Sequence, residues 1–405
     1  MREALARRRD GSDARLDRVL ELDVRRRALL PEVEGLRAQQ NAASQAIAQA
    51  KKAGEDASEA IEAMQEVARR GRALREELDA VQADLGAALG SLPNPPDPTA
   101  ADQDTVLREV GQAGKTGRDH LELAGALIDM EAGAKVSGSR FAYLKGDLVL
   151  LELALVRWVL ELLRGKGFEP VIPPVLVRED ALFGTGFLPD TEQQIYRLAD
   201  DPLYLAGTSE VPLASLHAGE MLDAGRLPLR YAGFSPCFRR EAGAAGRDTR
   251  GIFRVHQFDK VEMFSFVLPE EAADEHERLL ATEEEILQAL RVPYRVVNIA
   301  ADDLGTSAAK KYDLEAWLPG QQRHRELTST SNTTDFQARR LDIRYRPERG
   351  GPRHVFTLNG TAVAVGRTLI AVIENGQRDD GSVAVPEVLQ QWGAPGELRV
   401  SPPAG

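Results

Sequence analysis

The chain has 405 residues, of which 43% are hydrophobic, and its 51 basic and 63 acidic side chains give a net charge of −12. This length predicts two or three domains with a real core and excludes a chain that is disordered throughout. A single cysteine excludes a disulfide scaffold and a zinc site of the Cys-x-x-Cys type. The acidic balance excludes strong nonspecific binding to nucleic acid, so an RNA partner would have to meet local basic patches.

Aromatic residues divide the chain into two regions, because every Phe, Tyr and Trp lies at or beyond Phe141. The first third is instead rich in Ala, Leu, Glu, Arg and Gln, which favour helix. No run of eighteen apolar residues occurs, and no apolar stretch follows the basic residues 7–9. We therefore expect a soluble cytoplasmic protein without a membrane span.

Residues 1–90 carry the repeat of a coiled coil. Apolar or small residues recur at steps of seven, four and three in two series, which the polar segment Lys51–Ser58 separates. The first series is Leu22, Leu29, Val33, Leu36, Ala43, Ile47 and Ala50, and the second is Ile61, Met64, Ala68, Gly71, Leu74, Leu78, Val81, Leu85 and Ala88. Two helices of about 35 residues joined by a turn predict an antiparallel hairpin roughly 50 Å long. Periodicity alone leaves open whether it is an oligomerisation coiled coil or a binding arm.

The hairpin is less acidic than the rest of the chain. Residues 1–90 hold 16 basic and 17 acidic side chains, a balance of −1, which leaves −11 for the remainder. The basic residues available for phosphate are Arg25, Arg26, Arg27, Lys51, Lys52, Arg69, Arg70, Arg72 and Arg75. This charge suits an RNA contact, although a solvated helical face would have a similar composition.

A proline-rich segment predicts the boundary between the two regions. Pro93, Pro95, Pro96 and Pro98 can continue neither a helix nor a strand. We therefore expect a helical arm at 1–90, a linker at 91–105 and a second domain at 106–405, which the resemblance described below implies to be catalytic.

The second region alternates strand-like and helical patterns, and one segment predicts a pair of antiparallel strands. Leu227–Glu241 has the pattern of a strand, Ala242–Gly251 that of a loop, and Ile252–Val267 that of the returning strand.

Side-chain alternation along these strands gathers charged residues on one face. Arg239 and Glu241 share a face of the first strand, whereas Arg240 points to the other. The corresponding face of the second strand carries Arg254, His256, Phe258 and Glu262. Arginines suit phosphates, a phenyl ring offers a stacking surface, and a glutamate accepts from an amino group. A cross-strand ladder of salt bridges is the alternative.

These residues belong to a segment that resembles motif 2 of the class II aminoacyl-tRNA synthetases, and its detail is similar to the seryl-tRNA synthetases: FSPCFRREAGAAGRDTRGIFRVHQFDKVEMF. Further segments match that family in order. They are KVSGSRFAYLKGD (135–147), GTGFLPDTEQQIYRL (184–198), TSEVPLASLH (208–217), AAKKYDLEAWLPG (308–320), SNTTDFQARRLDIRYR (331–346) and TLNGTAVAVGRTLIAVIEN (357–375). The resemblance includes the hairpin and so spans nearly the whole chain.

The resemblance implies an α+β fold, in which an N-terminal antiparallel coiled-coil hairpin precedes a class II catalytic domain built on a mainly antiparallel sheet flanked by helices. It implies a serine–tRNA ligase, which makes seryl-adenylate and pyrophosphate from L-serine and ATP and transfers the seryl group to tRNA(Ser). The arm would bind the tRNA, and no membrane or DNA partner is implied. Charging of tRNA(Sec) stays open. The alternatives are a paralogue that activates serine or an analogue for a carrier protein or an antibiotic-related pathway, and a noncatalytic RNA-binding protein.

The resemblance also assigns an ATP site. Arg239 would bridge the α-phosphate and the serine carboxylate, Arg254 would reach the β- and γ-phosphates, and Arg367 would hold the γ-phosphate. Glu241 would contact adenine, whose ring packs on Phe258. The ATP-binding set is Arg239, Arg240, Glu241, Arg254, Val255, Phe258, Glu326, Leu327, Thr328, Ser329 and Arg367, with Arg239, Arg367 and Glu326 as the catalytic residues. For Arg367, a position on a helix surface is the alternative.

Glu326 and Ser329 match the segment that holds Mg²⁺ in the family, and a carboxylate and a hydroxyl beside phosphates suit this cation. Strict alternation would put the two on opposite faces, so the match predicts a bulge or a strand end near Thr328. A charged glutamate at a strand edge is the alternative. Zinc is not expected, because the six histidines show no ligand spacing.

The matching serine site is polar, as a site that selects for a hydroxyl must be. Its residues are Thr208, Ser209, Glu210, Arg239, Glu262, Asn359 and Thr361. Glu262 is the preferred anchor, since a carboxylate can accept from both the ammonium and the hydroxyl. A buried and fully paired structural glutamate is the alternative.

The predicted helix Leu148–Lys166 and the following GFEPVIPP resemble motif 1, which forms the dimer interface in this class around a proline like Pro174. Apolar residues cover most of its circumference, so it must be buried on several sides. Burial within the subunit would satisfy this as well as a homodimer. The chain departs from the family at Arg240, where serine is usual, and at Thr330, where cysteine is common.

Overall fold

The computed structural model describes residues 1–189, 194–242, 246 and 248–399. The described residues leave out parts of the predicted segment 184–198 and of the predicted loop 242–251. They also leave out the last six residues of the predicted catalytic domain. The chain forms two compact units, Met1–Pro93 and Asn94–Gly405. No helix in the described ranges is both long and apolar enough to cross a membrane.

The first unit is the predicted helical hairpin. Its helices are α1 (Arg2–Ala6), α2 (Ser12–Ala53) and α3 (Ser58–Gly90). The start of α2 packs on the end of α3, with Val19 and Leu22 against Leu85. Further along, Leu29 and Val33 pack against Leu78, so the two long helices are antiparallel. Both predicted apolar series face inward, because every member is buried or half-buried.

The turn of the hairpin is shorter than predicted. Helix α2 continues through Lys51 and Lys52 and ends at Gly54, whose φ of 75° is the left-handed conformation that closes a helix. Lysines in a last helical turn are favoured by the helix dipole, which explains why this polar stretch stays helical. The reversal therefore needs only residues 54–57.

The second unit contains a mainly antiparallel sheet, which confirms the predicted fold class. Within the described ranges this central sheet has eight strands, numbered along the chain. Their spatial order is β1 (Thr105–Val110), β11 (Tyr294–Asn298), β12 (Lys310–Leu318), β13 (Arg323–Asn332), β16 (Phe356–Ala364), β10 (Gln257–Val267), β9 (Leu229–Phe238) and β4 (Glu169–Val171). The β4–β9 pair is parallel, and the others are antiparallel.

Shorter strands form small sheets around the central one. They are β2 (Ile128–Asp129) with β3 (Tyr143–Leu144), β5 (Leu176–Val177) and β6 (Tyr196–Arg197) with β7 (Tyr204–Leu205), β8 (Met221–Leu222) and β15 (Arg353–His354) with β14 (Arg344–Tyr345), and β17 (Val383–Ala384) with β18 (Glu397–Leu398). The helices are α4 (His120–Ala124), α5 (Met130–Ser137), α6 (Asp147–Gly165), α7 (Glu179–Thr185), α8 (Glu210–Ala214), α9 (Ala272–Ala289), α10 (Phe336–Arg340), α11 (Val365–Asn375) and α12 (Glu387–Gln390).

Helices α6, α9 and α11 share one hydrophobic core with the central strands. Helix α6 buries Leu148, Leu151, Leu155 and Trp158 in this core, as its apolar circumference predicted. Burial of such a side chain contributes about 1.5–3 kcal/mol. Helix α11 packs in the same core through Leu369, Ile370 and Ile373. The residues at its start are therefore fixed against the sheet.

The strand pair β9–β10 is shorter than predicted at both ends of its loop. Strand β9 ends at Phe238 rather than Glu241, and β10 begins at Gln257 rather than Ile252. Glu241 has a φ of 49°, a left-handed conformation that no extended strand can contain. Arg239 still donates its backbone N–H to His256, at 2.9 Å, and pairing stops there. The charged residues of the loop are therefore held by turns rather than by the sheet ladder.

The proline-rich segment joins the second unit from Asn94 onwards. The Asn94 side chain donates to the backbone carbonyls of Ser307 and Thr333, at 2.9 and 2.8 Å. Asp97 donates its backbone N–H to Ala309 at 2.8 Å. These bonds use the backbone carbonyls of the body, so this half of the segment has a fixed course although prolines exclude it from regular structure.

Candidate active site

A pocket lies where the β9–β10 loop, β13, β16 and the start of α11 meet. The predicted site residues that line it are Thr208, Glu210, Arg239, Glu241, Arg254, Val255, Phe258, Glu262, Glu326, Leu327, Thr328, Ser329, Asn359, Thr361 and Arg367. It is also lined by residues that the sequence analysis did not select: Phe187, Ile252, Phe253, Lys260, Ala364 and Gly366. Residues from five separate stretches of the chain thus converge on one cavity.

Two predicted site residues do not line the pocket. Ser209 is fully buried, and its hydroxyl donates to the Gly233 carbonyl at 3.2 Å, so it ties α8 to β9 instead. Arg240 lines a different depression, with Tyr196 and Tyr204, so its side chain and that of Arg239 lie in different cavities. The prediction that Arg240 points away from Arg239 agrees with this arrangement. The inclusion of Arg240 in the ATP-binding set is not supported by it.

His256 is a further correction. We expected it on the face that carries Arg254 and Phe258, but it does not line the pocket. Its ring lies 5.2 Å from the Phe141 ring and 6.3 Å from the Tyr196 ring, and its Nδ1 lies 2.9 Å from the Arg239 carbonyl. The residue precedes β10, so strand alternation does not apply to it.

One side of the pocket is rich in arginine. The Arg239 guanidinium lies over the Phe258 ring at 5.3 Å, and its Nε donates to the Gly207 carbonyl at 3.1 Å. Arg254 forms an ion pair with Glu241. Arg367 lies over the Phe253 ring at 4.8 Å. Arg239 and Arg367 thus lie against aromatic rings, and three guanidinium groups share this side of the pocket, so the region is suited to a polyanion.

A bulge in β13 brings Glu326 and Ser329 to the same pocket. Leu314 pairs with Thr328 but the next residue, Glu315, pairs with Glu326, so Leu327 is the additional residue. An extra residue reverses the alternation of the side chains that follow it. The predicted bulge is confirmed, one position before Thr328. Thr330 is buried and donates to the Asn359 carbonyl at 3.0 Å, away from the pocket.

Glu326 is held in its ionised form. Desolvation in the pocket raises the pKa of its carboxyl, although the side chain is 47% exposed, but the positive charges of Arg367, Lys311 and Arg239 outweigh desolvation and lower the pKa below its usual value. Arg367 Nη1 lies 3.5 Å from the Glu326 carboxylate and donates to its backbone carbonyl at 3.0 Å. Burial, together with the charges of Arg239, Arg254 and Arg325, lowers the pKa of Arg367, and Glu326 opposes this effect.

The other side of the pocket is a network of buried carboxylates and hydrogen-bond donors. Glu262 forms an ion pair with Lys260 and accepts from Asn359 at 3.1 Å and from Thr361 at 3.3 Å. Lys260 also donates to the Thr208 hydroxyl at 2.6 Å. Because Glu262 is 1% exposed, these partners are needed to offset the cost of burying its charge.

Glu210 is the second carboxylate of this network. Its carboxyl accepts from Gln337 at 2.8 Å and from Asn359 at 3.4 Å. Burial and the nearby charge of Glu262 raise the pKa of Glu210 to about 7, although Lys260, Gln337 and Arg239 partly offset them. The proton on Glu210 is therefore sensitive to any further cation that enters the pocket.

Lys260 could have been found from the sequence. It stands two residues before Glu262 and two after Phe258, so the same alternation that selected those residues places it on their face. Ile252 begins the predicted strand two residues before Arg254, so the same alternation would have selected it as well, whereas Phe253 falls on the opposite face and had no such signal.

A magnesium ion could be held by Glu326 and Ser329. Among the residues that the structure describes, no three His, Cys, Asp or Glu side chains group as they would around a metal ion. Mg²⁺ does not require such a group, since it binds through one or two carboxylates and substrate phosphates and retains several waters. An ionised carboxylate and a hydroxyl that line one pocket fit this donor set.

Comparisons with known proteins find two family models that match this chain and relatives that match nearly all of it. Residues 1–96 match the model of the seryl-tRNA synthetase N-terminal domain, and residues 194–376 match that of the tRNA synthetase class II core domain for Gly, His, Pro, Ser and Thr. The chain is 51% identical to a serine–tRNA ligase of Thermobifida fusca over 96% of this chain and 94% of that one. It is 50% identical to a serine–tRNA ligase of Streptomyces coelicolor over 96% and 93% of the two chains.

Solved structures agree with the sequence relatives. The fold matches the seryl-tRNA synthetase of Pyrococcus horikoshii complexed with ATP, with a TM-score of 0.92 and 41% identity over 98% of this chain and 96% of that one. It also matches the cytoplasmic serine–tRNA ligase of Naegleria fowleri in complex with AMP, with a TM-score of 0.87 and 32% identity over 98% and 94%.

Proposed function

The chain belongs to the seryl-tRNA synthetase family, and from this premise we propose how its pocket carries out the family's reaction. It is an ATP-dependent serine–tRNA ligase that forms seryl-adenylate and transfers the seryl group to tRNA(Ser). One observation carries the assignment of the site: a single pocket is lined by Arg239, Arg254 and Arg367 and by the buried carboxyls of Glu210 and Glu262.

Arg239 joins the two halves of the reaction. Its charge lowers the pKa of both Glu210 on the carboxylate side and Glu326 on the arginine-rich side. In adenylate formation a serine carboxylate oxygen bonds to the α-phosphorus, and the bond from that phosphorus to the pyrophosphate oxygen breaks. No proton is transferred in this step. The enzyme therefore has to hold two anions together and stabilise the negative charge that develops. Arg239 bridges the serine carboxylate and the α-phosphate in this assignment.

The remaining cations receive the rest of ATP. Arg254 contacts the β- and γ-phosphates, and Arg367 holds the γ-phosphate from the start of α11. Glu241 accepts from the adenine amino group, and Phe258 provides the surface on which the base packs. The ion pair between Arg254 and Glu241 supports this arrangement, because it holds the two side chains beside each other in the lining of the pocket.

Mg²⁺ would be held by Glu326 and Ser329 and would neutralise phosphate charge when bound. Glu326 has two tasks in this assignment, since its carboxylate also orients Arg367. We expect Glu326→Gln to raise the Mg²⁺ concentration that gives half-maximal pyrophosphate exchange. An unchanged Mg²⁺ requirement in this variant would exclude the residue as a ligand.

Serine is selected by the buried network. Glu262 accepts from the serine ammonium and hydroxyl, with Thr208, Glu210, Asn359 and Thr361 around it. Its position in the lining of the pocket supports this role. Its pairing with Lys260, Asn359 and Thr361 is also what the alternative of a structural glutamate expects, so the serine dependence of exchange has to distinguish the two. Alanine lacks the hydroxyl and would leave buried polar groups without a partner, which is a strong basis for rejection.

The N-terminal hairpin binds the tRNA in this proposal. The basic side chains of α2 and α3 and the relationship of residues 1–96 to the family's N-terminal domain support it. A homodimer is proposed as well, because Val149, Leu150 and Leu153 on one face of α6 are exposed, and so is Ile172. We place the enzyme in the cytoplasm, where tRNA and ATP are available.

The paralogue that loads serine onto a carrier protein is not favoured, since relatives at about half identity over nearly the whole chain, hairpin included, are serine–tRNA ligases. Transfer of labelled serine to total tRNA is the test of the whole reaction. Acid-stable label on tRNA that requires ATP is expected, and adenylate formation without any label on tRNA would favour the paralogue.

A further inference from the structure

A buried histidine–glutamate pair connects two elements of the pocket from outside it. His120 is the first residue of α4, and Glu374 lies at the end of α11, the helix that begins beside Arg367. His120 is 4% exposed and Glu374 is fully buried. Neither side chain lines the pocket, and the functional assignment above uses neither.

Three hydrogen-bond donors contact the Glu374 carboxylate. Its Oε1 accepts from the backbone N–H of His120 at 3.2 Å and lies 3.1 Å from the ring Nδ1 of His120. Its Oε2 accepts from the backbone N–H of Gly320 at 2.8 Å. Both carboxylate oxygens therefore have hydrogen-bond partners, as buried polar atoms generally do.

The hydrogen bonds define the state of the His120 ring. Its Nε2 accepts from the backbone N–H of Ile252 at 3.4 Å. Because a backbone N–H can only donate, Nε2 carries no proton, and the ring proton lies on Nδ1 and is donated to Glu374. The imidazole is neutral, and it links the Glu374 carboxylate to the chain at Ile252.

The residue before Ile252 allows this contact. Gly251 has a φ of 75°, and a Cβ at this position would lie 2.0 Å from the His120 Nε2. Any side chain there would displace the ring as well as strain the backbone. The close approach of loop and ring thus depends on glycine at this position.

Ile252 leads directly into the arginine-rich side of the pocket. Ile252 and Phe253 both line the cavity. The Phe253 ring lies under the guanidinium groups of Arg325 and Arg367, at 3.8 and 4.8 Å. Helix α11 therefore meets this segment twice: Arg367 at its start contacts Phe253, and Glu374 at its end holds Ile252 through His120.

We propose that His120 and Glu374 are positioning residues that fix Ile252–Arg254 against α11, so that Arg254 and Arg367 meet the phosphates of ATP together. The inference depends on the proposed function, because it assigns these arginines to ATP. The imidazole acts through its Nε2, and the Glu374 carboxylate acts by holding the neutral tautomer that leaves Nε2 free to accept.

The test uses two variants, each of which keeps one of the two side-chain hydrogen bonds that the His120 ring makes. In His120→Asn the amide nitrogen takes the place of Nδ1 and still donates to Glu374, but nothing accepts from Ile252. In His120→Gln the longer side chain reaches the place of Nε2 and its oxygen accepts from Ile252. The full-length variants are compared with the wild type by calorimetric titration with Mg·ATP without serine and by thermal unfolding.

We expect His120→Asn to raise the Kd for ATP about fivefold, the effect of one hydrogen bond. His120→Gln should stay within about twofold of the wild type. Both variants should lose similar amounts of thermal stability, because each disturbs the same buried ring. Equal ATP affinities for the two variants, whether both match the wild type or both are weakened alike, would overturn the inference and leave a purely structural pair. Serine-dependent exchange is measured separately, so a wild type that binds ATP without exchange would refute the proposed function alone.

Discussion

Arg239 and Arg240 are neighbours in the chain with opposite surroundings. Arg239 lies in the pocket over Phe258, whereas Arg240 lines a separate depression with Tyr196 and Tyr204. Both are arginines, so they form a matched pair for testing whether position in the pocket, rather than local charge, matters. The alternation predicted for this segment separates them in the sequence, although both lie beyond the end of β9.

We expect Arg239→Ala to lower the rate of serine-dependent pyrophosphate exchange by roughly 10²–10³-fold, the usual effect of removing one preorganised group that stabilises developing charge. Arg240→Ala should retain most of the wild-type rate. The rates are measured at saturating serine and ATP with both proteins shown to be folded. Equal losses in the two variants would mean that the assignment of the pocket is wrong.

Glu210 is expected to give the proposed serine site a pH dependence. Its pKa is raised to about 7 in the free protein by burial and by Glu262. Below pH 7 the carboxyl is mostly protonated and attracts the serine ammonium weakly, and above pH 7 it is mostly ionised and attracts it strongly. The KM for serine should therefore fall as the pH rises from 6 to 8, by up to roughly tenfold for a single titrating group.

Glu210→Gln provides the control for this prediction. The amide cannot ionise, so the KM for serine in this variant should be high and should lose the dependence between pH 6 and 8. If the variant and the wild type have the same pH profile, another group is responsible for it.

The predictability of the site depends on whether each residue lies within a regular strand. Glu262, Asn359 and Thr361 lie in β10 and β16, where alternation determines the face, and the structure brings them together. His256 was assigned to the wrong place because it precedes β10, and Phe253 was missed for the same reason, whereas Ile252 shares the predicted face of Arg254 and could have been selected. The path of that loop depends on tertiary contacts such as His120, which no local pattern contains.

At the scale of elements, sequence periodicity predicted the hairpin well and the strand ends poorly. The helical seam is repeated over many turns, so one ambiguous residue changes little. The limits of β9 and β10 depend on single conformations, such as the positive φ of Glu241, which a residue other than glycine rarely adopts. The bulge at Leu327 was predicted only because the resemblance required Glu326 and Ser329 on one face.

Shortening the hairpin tests whether adenylate formation and transfer to tRNA depend on different units of the chain. Leu30 and Val81 pack in one cluster, so residues 31–80 can be replaced by a short Gly-Ser linker that closes the truncated helices. We expect this variant to keep pyrophosphate exchange near the wild-type rate and to lose serine transfer to tRNA. The two assays on the same preparation provide the measurement, and loss of exchange together with transfer would refute a separate tRNA-binding arm.

At the scale of the whole molecule, the exposed apolar residues predict self-association. Leu153 is 58% exposed and Ile172 is 82% exposed, both within or next to the segment that resembles motif 1. We expect the wild type to sediment as a dimer and Leu153→Glu/Ile172→Glu as a monomer, because two buried carboxylates at an interface cost several kcal/mol. Val24→Glu in α2, at a residue that is 69% exposed, is the matched control and should stay dimeric.

The charge distribution of the whole chain has a functional interpretation. The net charge of −12 divides into −1 for residues 1–90 and −11 for the rest. A nearly neutral arm with local basic groups can approach RNA where the acidic body would be repelled, and such binding weakens as salt rises. Composition alone argued against an RNA partner because it averages the two units.

The measurement that tests the central claim most directly is ATP–pyrophosphate exchange by the full-length protein with each of the twenty amino acids in turn. The pocket predicts exchange with serine, little with threonine, and none above background with alanine, since only serine satisfies the buried network around Glu262 without crowding it. Exchange that serine does not stimulate, or that another amino acid stimulates more strongly, would contradict the assignment.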